Sequence, residues 1–465
     1  MTTTHKRRQT VILIGVFFIA LIVRLIFLGR ENLWFDEAYT WYAAKMPVSK
    51  IWFELWHSAR YPPLYYVMMH YVLFLGQSEF VLRLPSAIFG AMAVSLLVVW
   101  GKRITSTSTT WLAAGFLAFS PLTLWYSQEA RMYIVVMFFA LWAGYSFSGI
   151  VRRAGWIYWV GYIVAAILGM YIHYIMFVLL ALLNIVAVAW WLAKPSKTPK
   201  FPILRWLLAQ IILLVLYIPW LPKLPHHWQL TRNETTYPLW ILTGPAALAI
   251  FAVGGVISLG VLVWLIKNFD RLQKHTKLTV ALAVGLLVLY TGLNALAVAN
   301  RAATLTRQTL IFVPYLYLLF AVSLTALPHW RRWALGILTL TVIAAILSGY
   351  LIQKPRWRDA SRLIATESVP GDVLVITSPW FSILLDYYSP GDIPVATIRP
   401  STAADDIPKL ESEYQHVWLL LNEKEERWVD PHKIVRASFS RTYNMEHKYQ
   451  LGLLDLLYFN MQLHQ

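Results

Sequence analysis

Leu33-Trp34-Phe35-Asp36-Glu37-Ala38-Tyr39 lies a few residues beyond Val11 to Leu28, the first membrane-length apolar run, which is broken only by Arg24. At ~1.5 Å rise per residue such a run nearly crosses a hydrocarbon layer of ~30 Å. Carboxylates are costly inside a bilayer, so an acidic pair at its edge, ringed by Trp34, Phe35, Tyr39 and Trp41, calls for a reason. One reason is an interfacial aromatic belt that happens to hold acids. The other is a catalytic carboxylate at the membrane face. The rest of the chain bears on the choice.

Hydrophobic residues make up 58% of the 465 and charged residues only 14%, which is the composition of a polytopic α-helical membrane protein. The formal net charge of +17 would suggest a nucleic-acid partner in a soluble chain; here the placement of the basic residues excludes that reading. Apolar runs fall near 11–28, 62–76, 85–100, 111–125, 132–150, 156–171, 175–192, 204–220, 239–266, 278–298, 308–327 and 333–352. Between them stand His5 to Arg8, Lys102-Arg103, Arg152-Arg153, Lys194 to Arg205, Lys267 to Lys277 and Arg331-Arg332. All six clusters face the cytoplasm if one early run does not cross. The run 62–76 is the one to remove, being short, opened by Pro62-Pro63 and carrying His70 among tyrosines.

About eleven crossings remain, with the N-terminus inside and the C-terminus outside. Residues 1–353 form the transmembrane domain, with a large first outer loop at 29–84. Residues 354–465 read as a small extracytoplasmic α/β domain: an amphipathic helix from Arg356 to Glu367, a turn at Pro370-Gly371, and strands at Asp372 to Thr377 and His416 to Leu421. No small-residue cleavage site follows the first run, so it is read as a retained helix. The absence of cysteine rules out disulfides and thiolate metal ligands.

This topology collects the reactive polar residues on the outer face. They are Asp36 and Glu37; Arg60 and Tyr61 ahead of Pro62-Pro63; Arg83-Leu84-Pro85-Ser86; Ser127-Gln128-Glu129-Ala130-Arg131-Met132-Tyr133; His173 between tyrosines; and Arg301 and Arg307. Arginines bind phosphate through a planar fork at any working pH, and a carboxylate beside them can deprotonate a hydroxyl. The bland alternatives are interfacial anchors for the arginines, a packing role for His173 and snorkelling for Arg24. His226-His227 without a neighbouring carboxylate is a poor metal site, and no nucleotide-binding glycine loop occurs.

Four ordered blocks, Trp34-Phe35-Asp36-Glu37-Ala38, Tyr61 to Tyr66, Arg83 to Ser86 with Gly90, and Ser127 to Tyr133, resemble those of the polyprenol-dependent glycosyltransferases of the GT-C class. Within that class the likeness is to bacterial members of glycosyltransferase family 39, which holds protein O-mannosyltransferases and aminoarabinose transferases. It runs over about residues 10–355. The resemblance implies a sugar donor on polyprenyl phosphate, an acceptor on a glycan, lipid or protein, and a place in the bacterial inner membrane among membrane lipids. It assigns Asp36 as the base with Glu37 as companion, and Arg83 as an essential arginine. Tyr61 stands where the aminoarabinose branch has a phosphate-binding lysine, with Arg60 one residue earlier. Arg60, Tyr61, Arg83, Glu129, Arg131, Tyr133, His173 and Arg307 are the candidates for holding substrate or phosphate. No cofactor is required. A divalent metal has only Glu129 behind it, where the oligosaccharyl branch has an acidic pair.

Direct displacement at the anomeric carbon would invert it, whereas a second carboxylate acting as nucleophile, Glu37 or Glu129, would retain it. Two other classes stay open: a flippase for a lipid-linked anion, and a scaffold that binds cell-wall polymer. A flippase usually sets charges at the midplane of repeated halves, and neither feature is visible here. The segment after about 355 is expected to govern acceptor choice rather than chemistry.

Overall fold

The computed structural model describes residues 3–55, 61–193, 201–226, 307, 309–325, 329–351, 354–422 and 429–463. The apolar runs 239–266 and 278–298, the basic stretch Lys267 to Lys277, and Arg60, His227, Arg301 and Glu423 to Glu426 lie outside the described residues. The described helices are α1 (Thr3–Leu25), α2 (Phe35–Ala44), α3 (Val48–Phe53), α4 (Leu64–Val72), α5 (Glu79–Ile104), α6 (Thr107–Phe119), α7 (Pro121–Ser127), α8 (Tyr133–Val151), α9 (Ile157–Ile172), α10 (Met176–Ala193) and α11 (Ile203–Tyr217). They continue with α12 (Val313–Thr325), α13 (Trp330–Leu351), α14 (Trp357–Glu367), α15 (Phe381–Tyr388), α16 (Ala403–Glu413) and α17 (Ile434–Thr442). The strands are β1 (Asp372–Ile376), β2 (Val395–Thr397), β3 (His416–Asn422), β4 (Tyr443–Leu451) and β5 (Leu454–Leu463).

Two compact units divide these elements. Residues Met1–Ile26, Met46–Leu75 and Arg83–Gly349 form the first, and Phe27–Lys45, Gly76–Leu82 and Tyr350–Gln465 the second.

The segments Arg7–Leu25, Glu79–Ile104, Tyr133–Val151 and Trp330–Leu347 are long and apolar enough to cross a membrane. Shorter apolar helices occupy Leu64–Leu75, Ile157–Ile172, Met176–Leu192, Ile203–Tyr217 and Leu310–Thr325. Ile14, Phe18 and Ile22 on α1, Leu204, Leu207 and Ile211 on α11, and Leu340, Ile343 and Leu347 on α13 are all exposed. Apolar stripes of that extent are stable against lipid tails and not against water. The helix at 64–72 follows Pro62-Pro63, is short, and gives way to a 3-10 turn at Leu73–Leu75.

Arg24 departs from the expected snorkelling. It is fully buried, and its guanidinium donates to the carbonyls of Ala20 (2.9 Å) and Leu117 (3.1 Å) and to Ser127 Oγ (3.1 Å). The cause lies in the partner: α6 stops before Ser120-Pro121, so the carbonyls of its last turn lack helical donors. Arg24 and the Thr123 hydroxyl, which donates to Leu117 O at 2.9 Å, supply them. Gly90 leaves the room, since a Cβ there would lie 2.5 Å from Ser127 Oγ and 2.6 Å from Arg24 Nε. Gly90→Val is therefore expected to cost about 1–3 kcal/mol and to lower the unfolding temperature in detergent. Gly336→Ala on α13, where a new Cβ meets nothing within 4 Å, should not. Equal melting of both variants would refute the close approach.

The second unit holds a five-stranded mixed sheet in the order β2-β1-β3-β5-β4, parallel from β2 to β3 and antiparallel beyond. Gly371, with φ at +98°, makes the turn that leads into β1, and Gly452, with φ at +66°, closes the β4–β5 hairpin. One face buries Val373, Val375, Val417, Leu419, Leu457 and Phe459 with Ile407 of α16 and Phe439 of α17. α2 belongs to this unit. Phe35 meets Trp380 at 5.7 Å between ring centroids, Trp41 meets Tyr387 of α15 at 5.1 Å, and the Leu33 N–H donates to Tyr388 Oη at 2.7 Å.

Candidate functional site

Each unit carries one cluster. In the second unit Asp36 and Glu37 lie in the first turn of α2, where the helix dipole favours negative charge. Glu37 is fully buried. Its carboxylate accepts the Lys354 ammonium at 2.7 Å and reaches back to the Trp34 N–H at 3.4 Å, closing the helix end. Asp36 is half-buried, one residue before it. Glu79 binds the Arg358 guanidinium and accepts from Tyr388 Oη at 3.0 Å. The hydrogen bond from the Arg358 guanidinium to Glu79 raises the affinity of Arg358 for its proton. Lys354 did not emerge from the motifs. Its signal in the sequence is a group of cations, Lys354, Arg356 and Arg358, that the expected topology would set on the face poor in basic residues.

In the first unit Arg131, Tyr133, His173 and Tyr61 come together. The Arg131 guanidinium carbon lies 5.4 Å from the Tyr61 ring centre and 5.8 Å from that of Tyr133, within cation–π range. Tyr61 and Tyr133 stand 4.9 Å and 5.7 Å from the His173 ring, and their hydroxyls approach to 3.4 Å. Arg131 is buried, and its backbone carbonyl accepts from the Ser86 hydroxyl at 3.2 Å, so the Arg83-Leu84-Pro85-Ser86 block positions the 127–133 block. Arg83 and Glu129 are buried in the same unit, and Arg307 is half-buried ahead of the 3-10 turn at Thr309–Phe312.

His173 caps α9, outside the helices on either side of it. Its Nδ1 accepts the Ile175 N–H at 3.0 Å, so the hydrogen of the neutral ring sits on Nε2. Among the described residues that buried Nε2 has no hydrogen-bond partner. Burial first, and the charge of Arg131 second, lower its pKa to about 3. The ring is thus a neutral donor at any working pH. Because the unfolded chain protonates it below about 6.5 and the folded chain does not, its contribution to stability is intact above that pH and falls toward about 3. His173→Gln should flatten this slope, read as the difference between unfolding temperatures at pH 7.5 and pH 5.

Among the described residues no three His, Asp or Glu side chains gather at metal-ligand spacing.

Residues 60–222 match the family described as dolichyl-phosphate-mannose-protein mannosyltransferase, a span that holds Tyr61, Arg83, Glu129, Arg131, Tyr133 and His173. Among curated proteins none matches the chain. In structure it is similar to ArnT from Cupriavidus metallidurans in the apo state (TM-score 0.57, 12% identity), covering 98% of each chain. The same protein bound to undecaprenyl phosphate superposes with TM-score 0.55, at 12% identity and 98% coverage of both chains. The archaeal oligosaccharyltransferase AglB from Archaeoglobus fulgidus, in complex with an inhibitory peptide and a dolichol-phosphate, matches with TM-score 0.53 and 12% identity over 98% of this chain and 74% of its own. The fold is that of the GT-C membrane glycosyltransferases, and the resemblance read from the four sequence blocks holds.

Proposed function

We propose that this chain is an integral-membrane glycosyltransferase that moves a sugar from a polyprenyl-phosphate donor to an acceptor hydroxyl on the extracytoplasmic face. The observation that carries this reading is the cluster of buried Arg131, Tyr133 and His173 with half-buried Tyr61, in which His173 Nε2 has no hydrogen-bond partner among the described residues. A cation and a neutral donor in one water-poor place suit an anionic oxygen, and the similar structures of ArnT and AglB hold undecaprenyl phosphate and a dolichol-phosphate.

The acceptor oxygen attacks the anomeric carbon while Asp36 takes its proton, and the sugar–phosphate bond breaks with its electron pair going to the phosphate. In the first unit Arg83, Arg131 and the His173 Nε2–H are suited to a negative charge of that kind. The buried ion pair with Lys354 occupies Glu37, which favours a single displacement with inversion over a covalent intermediate. No step calls for a resident metal. The cytoplasmic N-terminus, the eleven crossings and the outward C-terminal segment remain parts of the same proposal, supported by the six basic clusters.

Purified full-length protein in lipid, given labelled polyprenyl-phosphate sugar and envelope lipid or polymer as acceptor, tests the reading. Transfer of label supports it. Movement of intact donor across the bilayer, or binding of polymer with no turnover, would overturn it in favour of a flippase or a scaffold.

A further inference from the structure

Glu129 is the one acidic residue between Glu79 and Glu234, a stretch that also carries Lys102, Arg103 and Arg152. In the first unit Arg103 and Arg152 come together where α5 and α8 end and α9 begins. The Arg103 guanidinium donates to Tyr158 Oη and lies 5.0 Å and 5.5 Å from the ring centres of Tyr145 and Tyr158. The Arg152 guanidinium donates to the Arg103 carbonyl at 2.7 Å, and Lys102 Nζ stands 5.2 Å from the ring centre of Trp111. A Cβ on Gly149 would overlap the Tyr158 ring, so α9 is held close against α8 at the very ring that carries Arg103. Among the described residues no carboxylate pairs with Lys102, Arg103 or Arg152. The described acids of the first unit, Glu54 and Glu129, belong to the other end of these helices. Glu129 precedes the start of α8, and Trp52, two residues from Glu54, stacks on Tyr171, about 20 Å along α9 from Tyr158.

We propose that this end of the bundle binds the phosphate of an anionic phospholipid headgroup, with Arg103 and Arg152 as its cations and Lys102 beside them. Two guanidiniums packed together with no protein counter-charge suit an anion, and each offers phosphate oxygens a planar fork. Tyr145 and Tyr158 hold the Arg103 fork in place beforehand, so little side-chain freedom is lost on binding. The depth of the site selects a lipid. Lys102 and Arg103 end one membrane-length apolar segment, Arg152 directly follows another, and all three therefore stand at headgroup level. Trp111, Trp156 and Ile157 are exposed around them, with Trp156 at 74%, as rings at a bilayer interface are and as residues facing water seldom are. The site is also separate from the Arg131 cluster. α5 carries Arg83 near its start and Arg103 near its end, about 30 Å apart by helical rise, so a lipid bound here is a second ligand rather than the sugar donor.

The test titrates full-length protein in detergent with phosphatidylglycerol, phosphatidylcholine of the same chains, or inorganic phosphate. Native mass spectrometry reads retained lipid, and unfolding temperatures are measured alongside. Phosphatidylglycerol should be retained in preference to phosphatidylcholine and should raise the unfolding temperature. Removing both charges with Arg103→Gln and Arg152→Gln should weaken its retention by about tenfold or more. Tyr158→Phe, which keeps every charge but releases the Arg103 fork, should weaken it by a smaller factor. Arg331→Gln with Arg332→Gln removes the same charge from an exposed pair at the start of α13 and should leave retention as in the wild type. If the Arg103 and Arg152 double variant does not accumulate as folded protein, Arg152→Gln alone and Tyr158→Phe carry the test. Equal loss in the two double variants would reduce the site to the general attraction of a basic face and overturn the proposal. So would equal retention of the two lipids, or stabilisation by inorganic phosphate as large as that by phosphatidylglycerol at the same phosphate concentration.

Discussion

Asp36→Asn should lower turnover by about 10²- to 10⁴-fold, the range of a positioned general base, with donor binding nearly unchanged. Asparagine keeps the shape and suits the first turn of a helix, so α2 should keep its place against Trp380 and Tyr387. What is lost is the ability to take a proton from the acceptor, so the deficit belongs in kcat rather than in donor affinity. Single-turnover transfer of labelled sugar, with donor binding measured separately, checks both halves. Wild-type turnover would move the base to Glu37 or Glu129, the buried acids of the motifs.

The helices at 133–151, 157–172 and 176–193 were legible to within a residue or two, because uninterrupted apolar runs between basic clusters leave little choice. β1, β3 and α14 were legible for the matching reason: a short β-rich run is buried on both faces, and an amphipathic helix has one polar side. The β4–β5 hairpin was not. β4 is an edge strand, exposed along most of its length and written Asn-Met-Glu-His-Lys, so its composition carries no strand signal. Arg24 was misread because snorkelling follows from depth alone, while its true partners are carbonyls released by a helix break ninety residues away. In the site, motif blocks named Arg131, Tyr133 and Tyr61, but not that Ser86 and Gly90 act through hydrogen bonding and packing. Lys354 sits in no block.

The place of α2 also changes what the last hundred residues are for. The sequence alone set the segment after 355 apart as an acceptor-choosing module. Yet Lys354, Arg358, Tyr387 and Tyr388 hold residues 32–45 and 77–79 directly. The proposed base therefore rests on that segment, and its removal is now expected to cost chemistry as well as selectivity.

Arg131→Ala should weaken donor use by about 10²- to 10³-fold, the loss expected when one donor is removed from a developing anion in a water-poor site. The guanidinium lies against the faces of Tyr61 and Tyr133, and the Ser86 hydroxyl fixes its backbone, so the fork is held in place before any ligand arrives. Arg131→Lys should recover only part of the loss, because an ammonium can neither stack on both rings nor offer two parallel donors. Arg83→Ala should act in the same direction, whereas Arg301→Ala, outside the motifs, should do less. Arg131→Ala has a second signature. With its charge gone, one of the two causes that hold His173 near 3 is removed, so the imidazole should titrate closer to its usual range while burial still holds it low. NMR of labelled histidine reads that shift independently of activity. Lost donor use with an unmoved His173 would place the effect of Arg131 elsewhere in the fold. Small and equal losses for the three alanines would identify them as membrane-interface anchors and remove the phosphate site.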